Sequence, residues 1–340
     1  MSKKSLAMVG ACAAAAALTL TACSEGMGGD GETGDILRFS LNQTEEHPSY
    51  IALDHFSDRL EASTGDRWSI DIYPNETLGA QAEALQLVSD GIIDMAVVSG
   101  AQLANLNQDF TVYNLPQIFE DVPHQMEVVN EPSSITTDLF TSLEDSQNIT
   151  VLGGLTQGTR SVYTTFGPVE TPDDLAGKKM RVQESSLNIA MAQALGASAT
   201  PMAFGELYTG LQSGVVDAAE NNEVSYFTQK HFEVAPYFTY TNHLVGLDYV
   251  IINTDTLQKM SDDDRELFRQ EWAETWQEHT DLWEEATQEA VQGAKDGGAT
   301  FTKIDTSRFD DRLQKLADQS ITTDFQQALW DDARRQTGQD

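Results

Sequence analysis

The chain has 340 residues, with 54 Asp and Glu against 20 Lys and Arg, a formal net charge of −34. So acidic a chain lacks the clustered cations that phosphate contacts need, which excludes a nucleic-acid binder and a polybasic membrane-surface protein. At 40% hydrophobic residues it can bury a sizeable core, its length suits two domains, and beyond the N-terminus no run of about 18 apolar residues could cross a membrane.

Lys3 and Lys4 precede an apolar, small-residue stretch from Ser5 to Leu20. That order is the pattern of a secretory signal peptide, here residues 1–22. Leu20, Thr21, Ala22 and Cys23 place a Leu three residues before a Cys, like the bacterial lipobox. On this reading Cys23 becomes a lipidated N-terminus. The protein is then an extracytoplasmic lipoprotein held at the cytoplasmic membrane, at the cell surface or in the periplasm. An ordinary signal peptide followed by an incidental Cys is the alternative. Only Cys12 and Cys23 occur, so the mature chain has one Cys and no internal disulfide. Residues 23–35 read as the lipidated Cys and a flexible, Gly-rich acidic linker. Gly26, Gly28 and Gly31 satisfy G-x-G-x-x-G there, but no strand precedes them and no helix follows, so no dinucleotide cofactor is expected.

Ile36 to Leu41 alternates and predicts a first strand. Pro48 opens a helix to Leu60, with Ile51, Leu53, Phe56 and Leu60 apolar, and Gly65 follows it. Trp68 to Tyr73 predicts a strand, Ala82 to Val88 a helix closed by Gly91, and Met95 to Val98 a short buried strand. This alternation is the signature of an α/β layer with a mostly parallel sheet. Ile149 to Leu152 predicts another strand. A second unit follows: a strand over Met180 to Gln183, helices over Leu187 to Leu195 and Leu207 to Gln212, and a strand from Val215 into Asp217. Tyr226 to Val234 reads as helix and Tyr249 to Asn253 as a strand returning to the first layer. Ser261 before three Asp is a strong helix start, and the helix runs without Pro or Gly to about Gln292. Such a helix is long enough to brace two domains. Trp272, Trp276 and Trp283 share one face of it, a stripe expected to pack in the core rather than to hold a ligand. Thr300 to Lys303 predicts a strand and Phe309 to Trp330 a last helix. No repeat of 20–50 residues appears.

No G-x-S-x-G elbow, H-E-x-x-H or zinc-spaced Cys–His set occurs, and the six His are scattered. Carboxylate pairs carry no signal among so many acids. The cations are more informative. Across the nearly 200 residues between Arg67 and Arg265 only Arg160 and Arg181 occur, both near predicted strand ends, where open α/β sheets bind ligands. Two guanidinium forks converging on one cleft would trap an anion. The alternative is that each pairs with a nearby acid.

Lys178 to Asn222 contains KKMRVQES and then ALGASATPMAFGELYTGLQSGVVDAAENN. This stretch closely resembles the solute-binding proteins of TRAP transporters, the C4-dicarboxylate-binding (DctP-type) family. Leu78-Gly79, Gly91-Ile92-Ile93-Asp94-Met95, Gly158-Thr159-Arg160 and Thr241-Asn242-His243 agree with it, from about Ile36 to past Ala290. The resemblance implies an α/β, two-domain periplasmic-binding-protein-like fold with an interdomain cleft, crossing strands and a long bracing helix. Domain I would comprise 36–156 plus 247–286, and domain II 157–246 plus 287–340. It implies a receptor that closes on its ligand and delivers it to membrane permease subunits driven by an ion gradient, without catalysis, metal or cofactor. Arg181 falls on the family's carboxylate-pairing Arg, Arg160 on a second, less general one, and Asn221 on an amide able to donate and accept.

Phe204 would form an apolar wall or simply core. Asn221, Asn222 and Tyr226 resemble members that bind sugar acids, and Glu46 and His47 fall in a loop that such members use for sugar hydroxyls. Gln81 departs from the common Glu and removes an acceptor-only contact. The expected ligand is a hexuronate or related sugar acid, with C4-dicarboxylates and other organic acids as alternatives. A ligand-binding partner of a membrane sensor, or an extracytoplasmic enzyme acting on acidic sugars, are the other readings.

Overall fold

The computed structural model describes residues 34–335. The expected signal peptide, the expected lipidation of Cys23 and nearly all of the expected linker lie outside the described residues. Nine strands form one mixed sheet: β1 (Asp35–Ser40), β2 (Trp68–Tyr73), β3 (Met95–Ser99), β4 (Ile149–Thr164), β5 (Lys179–Val182), β6 (Ser198–Pro201), β7 (Ala218–Asn221), β8 (Tyr237–Asn253) and β9 (Thr300–Lys303). Their order is β2-β1-β3-β8-β4-β7-β5-β6, with β9 beside β8. β1 runs parallel to β2 and β3, and β5 parallel to β6 and β7. β4 and β8 pair antiparallel along almost their whole length. β3 joins the later half of β8, while β7 joins the later half of β4 and β9 the earlier half of β8. The two long strands therefore cross between two lobes, each with its own parallel strands. This is the two-domain periplasmic-binding-protein architecture.

Alternation builds the first lobe: Leu37 and Phe39 of β1 point into a core with Phe56, Leu60 and Trp68, while Arg38 faces out. The helix Pro48–Thr64 buries Ala52, Leu53, Phe56 and Leu60 and stops at Gly65, whose left-handed φ of 62° ends the turn. In the second lobe Met180, Leu187, Leu195 and Phe309 form one core, and Tyr163, Tyr226 and Phe238 another.

The bracing helix runs from Asp262 to Asp296, about 50 Å at 1.5 Å per residue. Ser261 caps it, its hydroxyl accepting from the Asp264 N–H at 3.1 Å. It packs against Pro48–Thr64 in the first lobe and Glu223–Thr228 in the second. Trp272 and Trp283 are buried and Trp276 half-buried, so the stripe packs in the core. Among the described residues no helix is long and apolar enough to cross a membrane.

Several elements differ from the expected ones. β4 and β8 are much longer; in β4, Gly153, Gly154 and Gly158 look like breakers but serve close packing. A Cβ at Gly153 would lie 2.6 Å from the Trp272 indole nitrogen, and one at Gly158 2.6 Å from that of Trp283. The bracing helix thus lies directly on β4. The strand expected from Val215 begins at Ala218, past a turn at Gly214. The helix expected over Tyr226 to Val234 is Glu223–Thr228 and a separate short turn, broken at Lys230 with φ 57°. The last helix is two, Ser307–Ser320 and Asp324–Arg335, because Thr323 starts a new cap on the Gln326 N–H. That final helix packs mainly on the first lobe, with Trp330 also reaching the second lobe's core, whereas the 287–340 boundary gave it to domain II. Leu329 and Ala333 join the first lobe's core, and Ser133 donates to Asp332 at 2.5 Å.

Candidate ligand-binding site

Residues at or just past the carboxyl ends of β1, β2, β3, β5 and β7 line one cavity between the lobes. Open α/β sheets bind ligands at such ends because loops there converge without closing the sheet. The first lobe contributes Asn42, Gln43, Glu76, Gln81 and Gln102, and the second Arg160, Arg181, Phe204, Asn221, Asn222 and Ser225 among others.

Arg181, on β5, is 3% exposed. Its Nε donates to the Met202 carbonyl at 2.9 Å, and its guanidinium lies 5.6 Å from the Phe204 ring centre. Neither Nη has a hydrogen-bonding partner among the described residues. Burial lowers its pKa, with Tyr163 and Glu220 acting in the opposite direction. A buried guanidinium with two open prongs is a strong site for a carboxylate.

Arg160, on β4, is also buried, but all five of its N–H donors are engaged. Nε and Nη2 fork onto Glu220 at 2.5 and 2.7 Å, Nη2 also reaches the Glu220 carbonyl at 2.9 Å, and Nη1 donates to Gln157 at 2.6 Å and Asn221 at 2.8 Å. Gln157 passes the chain on to Asp248, and His243 closes it on Glu220 at 3.3 Å. The Asn221 Oδ1 accepts from Arg160, from the Asn222 N–H at 2.9 Å and from the Asn222 amide at 3.0 Å. That oxygen is saturated, so the Asn221 Nδ2 is left as the free group. Asn221 was expected to donate and accept; its setting leaves it a donor only.

The facing wall carries a carboxylate and several amides. Glu76 Oε1, Asn42 Oδ1 and Gln43 Oε1 are buried without a hydrogen-bonding partner among the described residues. Glu76 Oε2 accepts from the Gly205 N–H of the second lobe at 3.1 Å. Burial raises the Glu76 pKa, against the lowering effects of Gly205 and Arg181. An open guanidinium on one side, with a carboxylate and amides on the other, suits a ligand with a carboxylate at one end and hydroxyls at the other.

The family described as bacterial extracellular solute-binding protein, family 7, matches residues 39–324. The chain belongs to this family. It is 32% identical over 292 residues to a solute-binding protein of Chromohalobacter salexigens, covering 83% of this chain and 86% of that one. It is 31% identical over 295 residues to the C4-dicarboxylate-binding periplasmic protein DctP of Rhodobacter capsulatus, covering 86% and 85%. The solved TRAP periplasmic solute-binding protein of Anaerococcus prevotii, with bound D-glucuronate, superposes with a TM-score of 0.84 at 34% identity, over 89% of this chain and 98% of that one. The proteins of this family are extracellular solute-binding proteins.

Of the expected site residues of this family 7 protein, Arg181, Arg160, Asn221, Asn222, Gln81 and Phe204 line the cavity, and Glu46, His47 and Tyr226 do not. Tyr226 lies in the second lobe's core, its hydroxyl donating to the Ala235 carbonyl at 2.8 Å. The helix from Glu223 turns it inward, where a residue spaced after the two Asn was expected to face the ligand. Glu46 borders a separate surface groove with Phe227 and Phe232. His47 sits just behind the wall: Nδ1 caps the Ser49 N–H at 3.1 Å, and Nε2 points to the Ser225 hydroxyl at 3.4 Å. Burial, helped by His279, lowers its pKa to about 3, so it is neutral. Asn222 caps the helix Glu223–Thr228 through the Ser225 N–H at 2.7 Å. Gln81 accepts from the Ser99 N–H at 3.1 Å.

Glu76, Asn42, Gln43, Gln157 and Glu220 were not anticipated. The usable signal was position: polar residues just past a strand, as at Asn42-Gln43 after β1 and Glu76 after β2. Glu76, in the neighbouring loop, places an acceptor-only group on the same wall as Gln81.

Proposed function

We propose that this family 7 protein is the extracytoplasmic receptor of a TRAP transporter. It holds a hexuronate or related hydroxylated monocarboxylate between its lobes and hands it to the transporter's membrane permease. The observation that carries the reading is Arg181, a buried guanidinium with two open prongs, facing a wall of unpartnered acceptors. The carboxylate sits on Arg181, the Asn221 amide donates to a ligand oxygen, and the sugar hydroxyls donate to Glu76, Asn42 and Gln43. Arg160 holds Asn221 in place. The glucuronate bound to the Anaerococcus protein supports this class over the C4-dicarboxylates of the Rhodobacter protein.

The first lobe comprises 36–156 and 247–286, with the terminal helix from Asp324 returned to it. The second comprises 157–246 and 287 to about 320. Cys23 anchors the receptor by a lipid; Cys23→Ser would then release it from the membrane fraction.

Thermal unfolding with D-glucuronate, D-galacturonate, succinate and malate tests the ligand class. Binding at a hundredfold excess over Kd adds about 2.7 kcal/mol of stability. Stabilisation by succinate or malate but not by either hexuronate would sink the reading.

A further inference from the structure

We propose that Glu76 sets the ligand class of this site, accepting from a ligand hydroxyl and turning away ligands with a second carboxylate. The inference rests on the sugar-acid reading of the cavity and specifies which sugar acids it takes.

Glu76 is held in place from both sides of the cleft. Its own backbone is left-handed, φ 55°, following Asn75 at 56°. Its Oε2 accepts from Gly205 of the other lobe, where an added Cβ would lie 2.5 Å from that oxygen. The carboxylate therefore occupies a seat that the glycine leaves open. Its second oxygen is buried in the cavity wall and unpartnered. A carboxylate accepts and does not donate, so that oxygen needs a donor from the ligand, and a hydroxyl supplies one.

A second carboxylate supplies none and meets charge of its own sign. Glu184, also on the cavity wall, and Glu206 already act on Glu76, and Arg181 is the cation facing it. Arg181 can take one carboxylate. Arg160 is engaged by Glu220, so among the described cavity-lining residues no open cation remains for another. Discrimination of this kind works by leaving the wrong ligand with an uncompensated group rather than by adding contacts to the right one.

Isothermal titration of the wild-type protein and Glu76→Gln with D-glucuronate and D-glucarate tests this. Glucarate differs by carrying a carboxylate at the other end of the same carbon chain. Wild type is expected to favour glucuronate, and Glu76→Gln to narrow that preference about tenfold, because the amide is neutral and can donate. Glu76→Gly, which suits the left-handed backbone, is expected to narrow it too and covers a poorly folded Gln variant. A wild type that prefers glucarate overturns the inference. So do variants that bind glucuronate with the preference unchanged, while the sugar-acid reading survives. A wild type that binds no hexuronate overturns that reading and this inference with it.

Discussion

Arg160 and Glu220 meet in a two-pronged ion pair, Nε to Oε2 at 2.5 Å and Nη2 to Oε1 at 2.7 Å, with side chains 3% and 6% exposed. Burial acts to raise the Glu220 carboxyl, but Arg160 and His243 outweigh it and hold it at about 2. The pair separates the two arginines that look equivalent in the sequence. Arg160 is neutralised and orients Asn221, and Arg181 stays open.

Arg181→Ala is expected to weaken hexuronate binding by about 1.5–3 kcal/mol, or roughly 10- to 150-fold, the strength of a charged hydrogen bond. Arg181→Lys should also weaken it, since a point charge replaces a planar fork. Calorimetric titration reads both, and unchanged affinity in the Ala variant would remove Arg181 from the carboxylate contact.

Arg160→Met is expected to cost about 3–5 kcal/mol of folding stability, because it leaves Glu220 buried without its counter-ion. Arg160→Met combined with Glu220→Leu should recover much of that loss, since Glu220 no longer stays as an unpaired buried charge. Urea unfolding of the two variants decides the matter: equal losses would mean that the ion pair is not the source.

Asp248 and Glu220 give opposite pH dependences. Burial raises Asp248 from 3.8 to about 6, against Gln157 and Arg160. The folded protein binds this proton before the unfolded chain does, so the stability it contributes is full below about pH 4 and is lost as pH rises through 6. Glu220, lowered from 4.5 to about 2, contributes stability that is full above 4.5 and is lost as pH falls towards 2. Asp248→Asn should therefore flatten the decline of the unfolding temperature between about pH 4 and 6. Parallel wild-type and variant curves across that window would contradict the assignment.

Gly158→Ala is expected to destabilise the protein by about 1–3 kcal/mol. The position has φ 61°, and the added carbon would meet the Trp283 indole at 2.6 Å. Thermal unfolding at fixed pH reads the change; an unaltered midpoint would show that the helix can lift from the crossing strands at no cost.

Short-range patterns were legible. Alternation marked β1 and β2, a short apolar run marked β3, the Ser-Asp-Asp-Asp start marked the bracing helix, and the Lys178 to Asn222 stretch marked the family. The full length of β4 was not legible, because Gly153 and Gly158 read as breaks until the tryptophans above them are seen. Tyr226 was misplaced for a related reason: spacing after Asn221 and Asn222 does not say which way a short helix turns its side chains. Glu76 was overlooked because a single acid among 54 carries no signal until its neighbours are known.

The sequence by itself determined the acidic composition that excludes nucleic acid, the α/β class, the family and a short set of candidate residues. Each of these is written in local order along the chain. The tertiary structure alone decided which candidates face the cavity and what each has left to offer. Arg160 is engaged by an acid 60 residues away, and the Asn221 oxygen is saturated by that same Arg160. A side chain's chemistry in a buried site is set by its partners, and those partners are assigned by folding.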